Sequence, residues 1–191
     1  CDAPEVDALV WRQKDAPDLG TMLSKPIIGV DGSWLFPSAV TFAERNARGK
    51  GAMAGGVIFR SVDNGETIVR HTAKSIASTF WFDSCSLIDK HAGMVFYMRA
   101  PYGIGKCASK DGGVSFGGEA DSNFGGYGTR FAITKLSDGA ILLVSKNHFG
   151  KGGSPCVSAM LSVKTGVTFQ GVLNIDEDAD ISTPDIVERG G

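Results

Sequence analysis

Apolar positions along this chain fall into strand-length runs separated by turn residues, and one arrangement recurs. An apolar run turns at a small or acidic residue plus glycine and continues into a second apolar run. The copies are Lys25 to Phe36, turning at Asp31-Gly32; Ser84 to Tyr97; Arg130 to Val144, turning at Asp138-Gly139; and a copy beginning at Thr183 to Val187. Asp-Gly between apolar runs is a strong hairpin signal, because both residues tolerate the positive φ of a tight turn. The run Ile141 to Val144 shows no polar alternation, as expected of a strand covered on both faces. No stretch longer than ten residues carries a helical period, so the pattern predicts an all-β chain.

A second repeat runs out of phase with the first. Its copies are Ser61-Val62-Asp63-Asn64-Gly65-Glu66-Thr67-Ile68 and Ser109-Lys110-Asp111-Gly112-Gly113-Val114-Ser115-Phe116. A worn third copy is Ser162-Val163-Lys164-Thr165-Gly166-Val167-Thr168-Phe169. The Asp accepts hydrogen bonds from amides further along, the Gly supplies positive φ, and the hydroxyls satisfy remaining turn groups. By this chemistry the motif is a structural fastener. The copies start 48 and then 53 residues apart, a period that fits the four-stranded blade of a repeat architecture.

The expected fold is therefore a β-propeller of four-stranded antiparallel blades, of which this chain covers three to four. The blade units are roughly 22–80, 81–127 and 128–179, with 180–191 incomplete. Propellers close into rings because an open ring exposes strand edges. The remaining blades are expected from the same or another chain, and a compact non-propeller β domain is the alternative.

Composition narrows the function. The net charge is −2 with Lys and Arg scattered, which gives no footprint for nucleic acid. No apolar run approaches the roughly 18 residues of a membrane span. Cys1, Cys85, Cys107 and Cys156 lack metal-ligand spacing, so neither a metal nor a cofactor is expected. Cys85, Cys107 and Cys156 fall in predicted strands, where a buried free thiol is the usual outcome; a Cys85–Cys107 disulfide requires an oxidising compartment. Cys1 would suit a lipidated bacterial N-terminus.

These residues resemble the Asp-box (BNR repeat) propellers of the sialidase superfamily, in particular a bacterial sialidase-like group. Its members read N-K-P, D-G-x-W-L-L-P, F-D-E-H-M, Y-G-I-G-E-S, R-F-F-I and S-Y-P-D in order. Here the matching stretches are Ser24-Lys25-Pro26, Asp31-Gly32-Ser33-Trp34-Leu35-Phe36-Pro37, Phe82-Asp83-Ser84-Cys85-Ser86, Tyr102-Gly103-Ile104-Gly105-Lys106-Cys107, Arg130-Phe131-Ala132-Ile133 and Ser182-Thr183-Pro184-Asp185. The resemblance implies about six blades in the full protein, first strands lining a central glycan pocket, and a secreted, periplasmic or cell-surface location. Sialidases use a Tyr nucleophile with a carboxylate partner, and arginines hold the substrate carboxylate by bidentate bonds.

Carried over residue by residue, the resemblance makes Asp83 and Tyr102 the catalytic candidates, for proton transfer or hydroxyl recognition. Arg130, Lys25 and Asp185 are the substrate-binding candidates. A rim arginine paired with a neighbouring Asp is the plainer reading of Arg130. The departures fall at pocket positions: Ser84 and Cys85 replace the family's Glu and His, Lys106 its second Glu, and Thr183 its Tyr. Two functions remain open. One is a glycoside hydrolase acting on an extracellular glycan, and the other is a non-catalytic glycan- or protein-binding propeller.

Overall fold

A computed structural model describes residues 24–39, 55–72, 76–77, 85–90, 93–100, 102–118, 120–124, 130–147, 155–162, 169–176 and 184–189. Among these the regular structure is entirely β, in three antiparallel sheets that follow one another along the chain. Sheet A runs in the order β1 (Ile27–Ile28), β2 (Trp34–Ala39), β3 (Gly55–Ser61) and β4 (Val69–Arg70). Its β5 (Ile76–Ala77) also pairs with β3. Because β4 takes Phe59–Arg60 and β5 takes Gly55–Gly56, the two short strands share one edge rather than adding a fifth layer. Sheet B comprises β6 (Cys85–Lys90), β7 (Gly93–Ala100), β8 (Gly103–Ser109) and β9 (Ala120–Asp121). Sheet C comprises β10 (Phe131–Lys135), β11 (Ile141–Asn147), β12 (Cys156–Ser162) and β13 (Phe169–Asp176).

Apolar residues on both faces of the strands bury themselves between sheets. One core joins Leu35 and Ile58 of sheet A to Leu87, Met94, Phe96 and Met98 of sheet B. The next joins Ile88, Tyr97 and Ile104 of sheet B to Phe131, Ile133, Ile141 and Leu143 of sheet C. First strands lie side by side, with β6 against β1 and β2 on one flank and β10 on the other. Glycine sets the closest approach: a Cβ on Gly56 would fall 2.4 Å from the Phe96 ring. Cys107 and Cys156 are buried free thiols in β8 and β12.

The two intact aspartate turns close their hairpins by one geometry. Asp63 Oδ1 accepts from the Thr67 amide at 2.8 Å and the Ser61 hydroxyl at 2.8 Å, while its Oδ2 accepts from the Thr67 hydroxyl. Asp111 accepts from Ser115 and Ser109 in the same positions. The Gly65 and Gly113 amides donate to the Ser61 and Ser109 hydroxyls, both at 2.8 Å. Each turn carries two consecutive positive-φ residues, Asn64-Gly65 and Gly112-Gly113, which only Asn and Gly adopt at low cost. In the worn copy the fully buried Ser162 hydroxyl has no hydrogen-bond partner among the described residues, and the sequence puts Lys164 where the acceptor belongs.

A different contact fastens one sheet to the next. Trp34, Met94 and Ile141 hold the same ladder position, each opposite the first serine of its sheet's turn motif. Their partners on the first strands, Ile28, Asp89 and Lys135, are therefore equivalent. Asp89 accepts from the Val30 amide in the hairpin of sheet A at 2.9 Å. In sheet C the corresponding hairpin amide, Ser137, donates to Glu188 at 2.9 Å, and the Ser137 hydroxyl adds a bond of 2.7 Å. Glu188 thus occupies the place of Asp89.

Candidate functional site

Strand direction sorts the candidate residues. In each sheet the first strand leaves one end, here the upper end, and reaches its hairpin at the lower end; the second strand returns and the third descends. Residues that precede a first strand, and those in the second-to-third connection, share the upper end. Lys25 precedes β1, Arg130 precedes β10 and Tyr102 lies between β7 and β8. Asp185 precedes Glu188 and reaches Lys25. All four stand at the upper end, whereas Asp63 and Asp111, which follow the third strands, stand at the lower end. Asp83 and Thr183 lie outside the described residues.

Of these four, Lys25 and Asp185 are in direct contact. The Lys25 ammonium donates to Asp185 Oδ2 at 2.8 Å and to the Ile186 carbonyl at 2.9 Å, a residue 161 positions away. The Ile186 amide donates to Asp185 Oδ1 at 2.8 Å. The bond from Lys25 leads in holding the Asp185 carboxyl below the usual carboxylate range, and the Ile186 amide adds to it. Both side chains stay open to ligand, at 54% and 66% exposed.

Tyr102 is 43% exposed, so its phenol is accessible. Tyr97 presents the opposite case: it is buried, stacks on Phe124 with ring centroids 5.6 Å apart, and burial pushes its phenol up to about 12. Such a group is a core residue rather than a nucleophile. Arg130 is half-buried. The partners that Lys25 and Asp185 find are each other and Ile186.

Sequence reasoning missed Arg99. It lies next to last in β7, opposite Ile104, and alternation puts it on the face that carries Val95 and Tyr97 toward sheet C. Its Nε is buried, which brings a second arginine to the upper end beside sheet C. The available signal is its spacing of two from Tyr97, whereas Arg130 stands out by opening its strand. A buried polar cluster also marks the upper end of sheet C. There the Asn147 amide donates to the Ser158 hydroxyl, and the Cys156 thiol donates to Asn147 Oδ1 at 3.2 Å. No group of three His, Cys, Asp or Glu among the described residues could hold a metal ion.

No family model matches the sequence, and no curated protein does. Solved structures do. A protein of unknown function from Dyadobacter fermentans aligns with a TM-score of 0.55 at 17% identity, over 81% of this chain and 42% of that one. The Hadza microbial sialidase Hz136 aligns with a TM-score of 0.52 at 20% identity, over 80% of this chain and 30% of that one. The α-L-arabinofuranosidase Arb93A from Fusarium graminearum aligns with a TM-score of 0.51 at 14% identity, over 87% and 51%. The fold is a β-propeller. Sheets A, B and C are its blades, and the chain spans between about a third and a half of the length of these three structures. No helix among the described residues is long and apolar enough to cross a membrane.

Proposed function

We propose that this chain belongs to the Asp-box group of sialidase-like propellers and contributes the ligand-binding end of a carbohydrate-active protein, a glycoside hydrolase acting on an extracellular glycan. The observation that carries the reading is the meeting of Lys25 with Asp185 at the end where first strands begin. Two aspartate turns of identical geometry support the group assignment, and two of the fold's relatives are named for glycosidase activities. Within the reading, Arg130 binds an anionic or polyhydroxylated group. Tyr102 supplies an accessible phenol and Asp83 a carboxylate for proton transfer. The rest of the ring, about six blades, comes from the same or another chain, and the protein works outside the cytoplasm.

The second reading is a glycan- or protein-binding propeller without turnover. Thr183 and Lys106 favour it, standing where the resembling family has Tyr and Glu. One experiment separates the two: titration calorimetry with glycans beside turnover of aryl glycosides, neutral ones as well as a sialoside, for the protein and for Arg130→Ala. Loss of both binding and turnover in the variant supports the hydrolase. Binding without turnover in the parent supports the second reading, and unchanged affinity in Arg130→Ala removes the arginine from the site.

A further inference from the structure

Glu188 accepts from the hairpin amide of sheet C as Asp89 accepts from that of sheet A, and Asp89, Ile28 and Lys135 share one ladder position, so the residues three steps before these four are compared. They are Lys25, Ser86, Ala132 and Asp185. In a propeller, equivalent positions on successive first strands ring the axis. Here the inner two are a serine and an alanine, and the outer two carry opposite charges that meet at 2.8 Å. The contact joins the residue before β1 to the segment that follows sheet C, at the end where first strands begin.

The hydrogen-bond inventory of that contact is incomplete in a useful way. An ammonium has three protons; Lys25 gives one to Asp185 and one to Ile186. A carboxylate has about four acceptor sites; Asp185 uses one on Lys25 and one on its neighbour's amide. Among the described residues what remains is one donor and about two acceptor sites, on atoms 2.8 Å apart and side chains open to solvent, with mutually cancelling charge. Adjacent sugar hydroxyls present the complementary set, each able to give and to take one bond at the same spacing.

We propose that the Lys25–Asp185 pair is a subsite for the vicinal hydroxyls of a neutral sugar, and that it selects against a carboxylated one. An incoming carboxylate meets Asp185 at contact distance from the cation it would need, and like charges so close cost more than a shared ammonium returns. The bond from Lys25, with the Ile186 amide, holds the Asp185 carboxyl below the usual carboxylate range, so it stands as a carboxylate at neutral pH. This subsite rests on the glycan-binding reading above and names the ligand class within it.

Ligand-observed NMR and titration calorimetry on the assembled propeller, this chain together with the blades that complete its ring, test it, with D-galactose, D-mannose and L-arabinose, their monodeoxy analogues, and N-acetylneuraminic acid as the anionic probe. At least one neutral sugar should bind, and Lys25→Met and Asp185→Asn should each weaken it by about tenfold or more. Removing one hydroxyl of the diol should do the same. Binding should move less than about twofold between roughly 50 and 500 mM salt, since the pair has no net charge. Asp185→Asn should also improve affinity for N-acetylneuraminic acid.

The swap Lys25→Asp/Asp185→Lys separates a subsite from a mere strut. A strut predicts that melting temperature and sugar binding recover together, which would overturn the proposal. A subsite predicts recovered melting with binding still lost, because donor and acceptor have changed places. Unchanged sugar affinity in both single variants, with binding abolished in Arg130→Ala, would leave the glycan reading standing and remove the subsite. Absence of binding to every sugar by the assembled parent would overturn both.

Discussion

Gly56 and Phe96 offer the sharpest test of how blades A and B close on each other. Phe96 is fully buried at the centre of the core between them. A methyl on Gly56 would lie 2.4 and 2.5 Å from two of its ring carbons, well inside van der Waals contact. The φ of Gly56 is not in the left-handed region, so alanine meets no backbone obstacle and the cost is the clash alone. Overpacking of this kind costs roughly 1–3 kcal/mol. In a Phe96→Ala background, itself costing about 3–5 kcal/mol, the obstacle is gone. There the same glycine replacement should stabilise by about 0.4–1 kcal/mol through the unfolded chain. The coupling energy from urea titrations of the four-member cycle should therefore fall at roughly 1.4–4 kcal/mol. Phe96→Leu provides a milder background if the alanine variant is too unstable to titrate. Additivity within about 0.5 kcal/mol would refute direct packing of these two blades.

Three further outcomes follow from contacts already described. Asp31 and Asp63 are each held at about 2, led by bonds from Ser33 and from Thr67 respectively, and Asp111 is lowered by Ser115 in the same way. Their folded pKa values lie below the unfolded one, so the unfolded chain binds more protons in acid. Stability should hold above about pH 4 and drain away toward pH 2, as read by urea midpoints across that range. Replacing Asp89 by alanine should cost about 0.5–1.5 kcal/mol by loss of the bond to the Val30 amide; no change in the denaturation midpoint would dismiss it as a fastener. Lys164→Asp should rebuild the worn turn, give the Ser162 hydroxyl a partner and stabilise by a similar amount, whereas a lowered melting temperature would count against the turn geometry.

The hairpins and turns were legible because their instructions are local. Asp31-Gly32 and Asp138-Gly139 announce the first hairpins of blades A and C, and the serine-aspartate motifs announce the outer ones. The fourth strands of blades A and B were not legible. Val69–Arg70 and Ala120–Asp121 are two residues long, too short to carry a period, and the sharing of one edge by β4 and β5 depends on which half of β3 each can reach. Asp89 and Glu188 escaped notice for a related reason. Their partners are main-chain amides of the preceding blade, and a backbone donor leaves no mark on residue type: Val30 and Ser137 serve equally. At the site, the family-like order of motifs put Lys25, Tyr102, Arg130 and Asp185 on the candidate roll. The contact between Lys25 and Asp185 joins the residue before β1 to the segment that follows sheet C, which no local pattern encodes.

The separation of the aspartate turns from the ligand end has a practical consequence. The groups that hold each outer hairpin shut are a full strand length from Lys25, Tyr102, Arg130 and Asp185, roughly 20 Å for a strand of seven residues. Additivity is the rule at such distances. Randomising the upper connections should therefore leave the melting profile nearly untouched while recognition changes freely. Strengthening the lower turns should likewise raise tolerance to mutation without altering what is bound. A combinatorial library built on this chain can treat its two ends as independent variables, first hardening one and then diversifying the other.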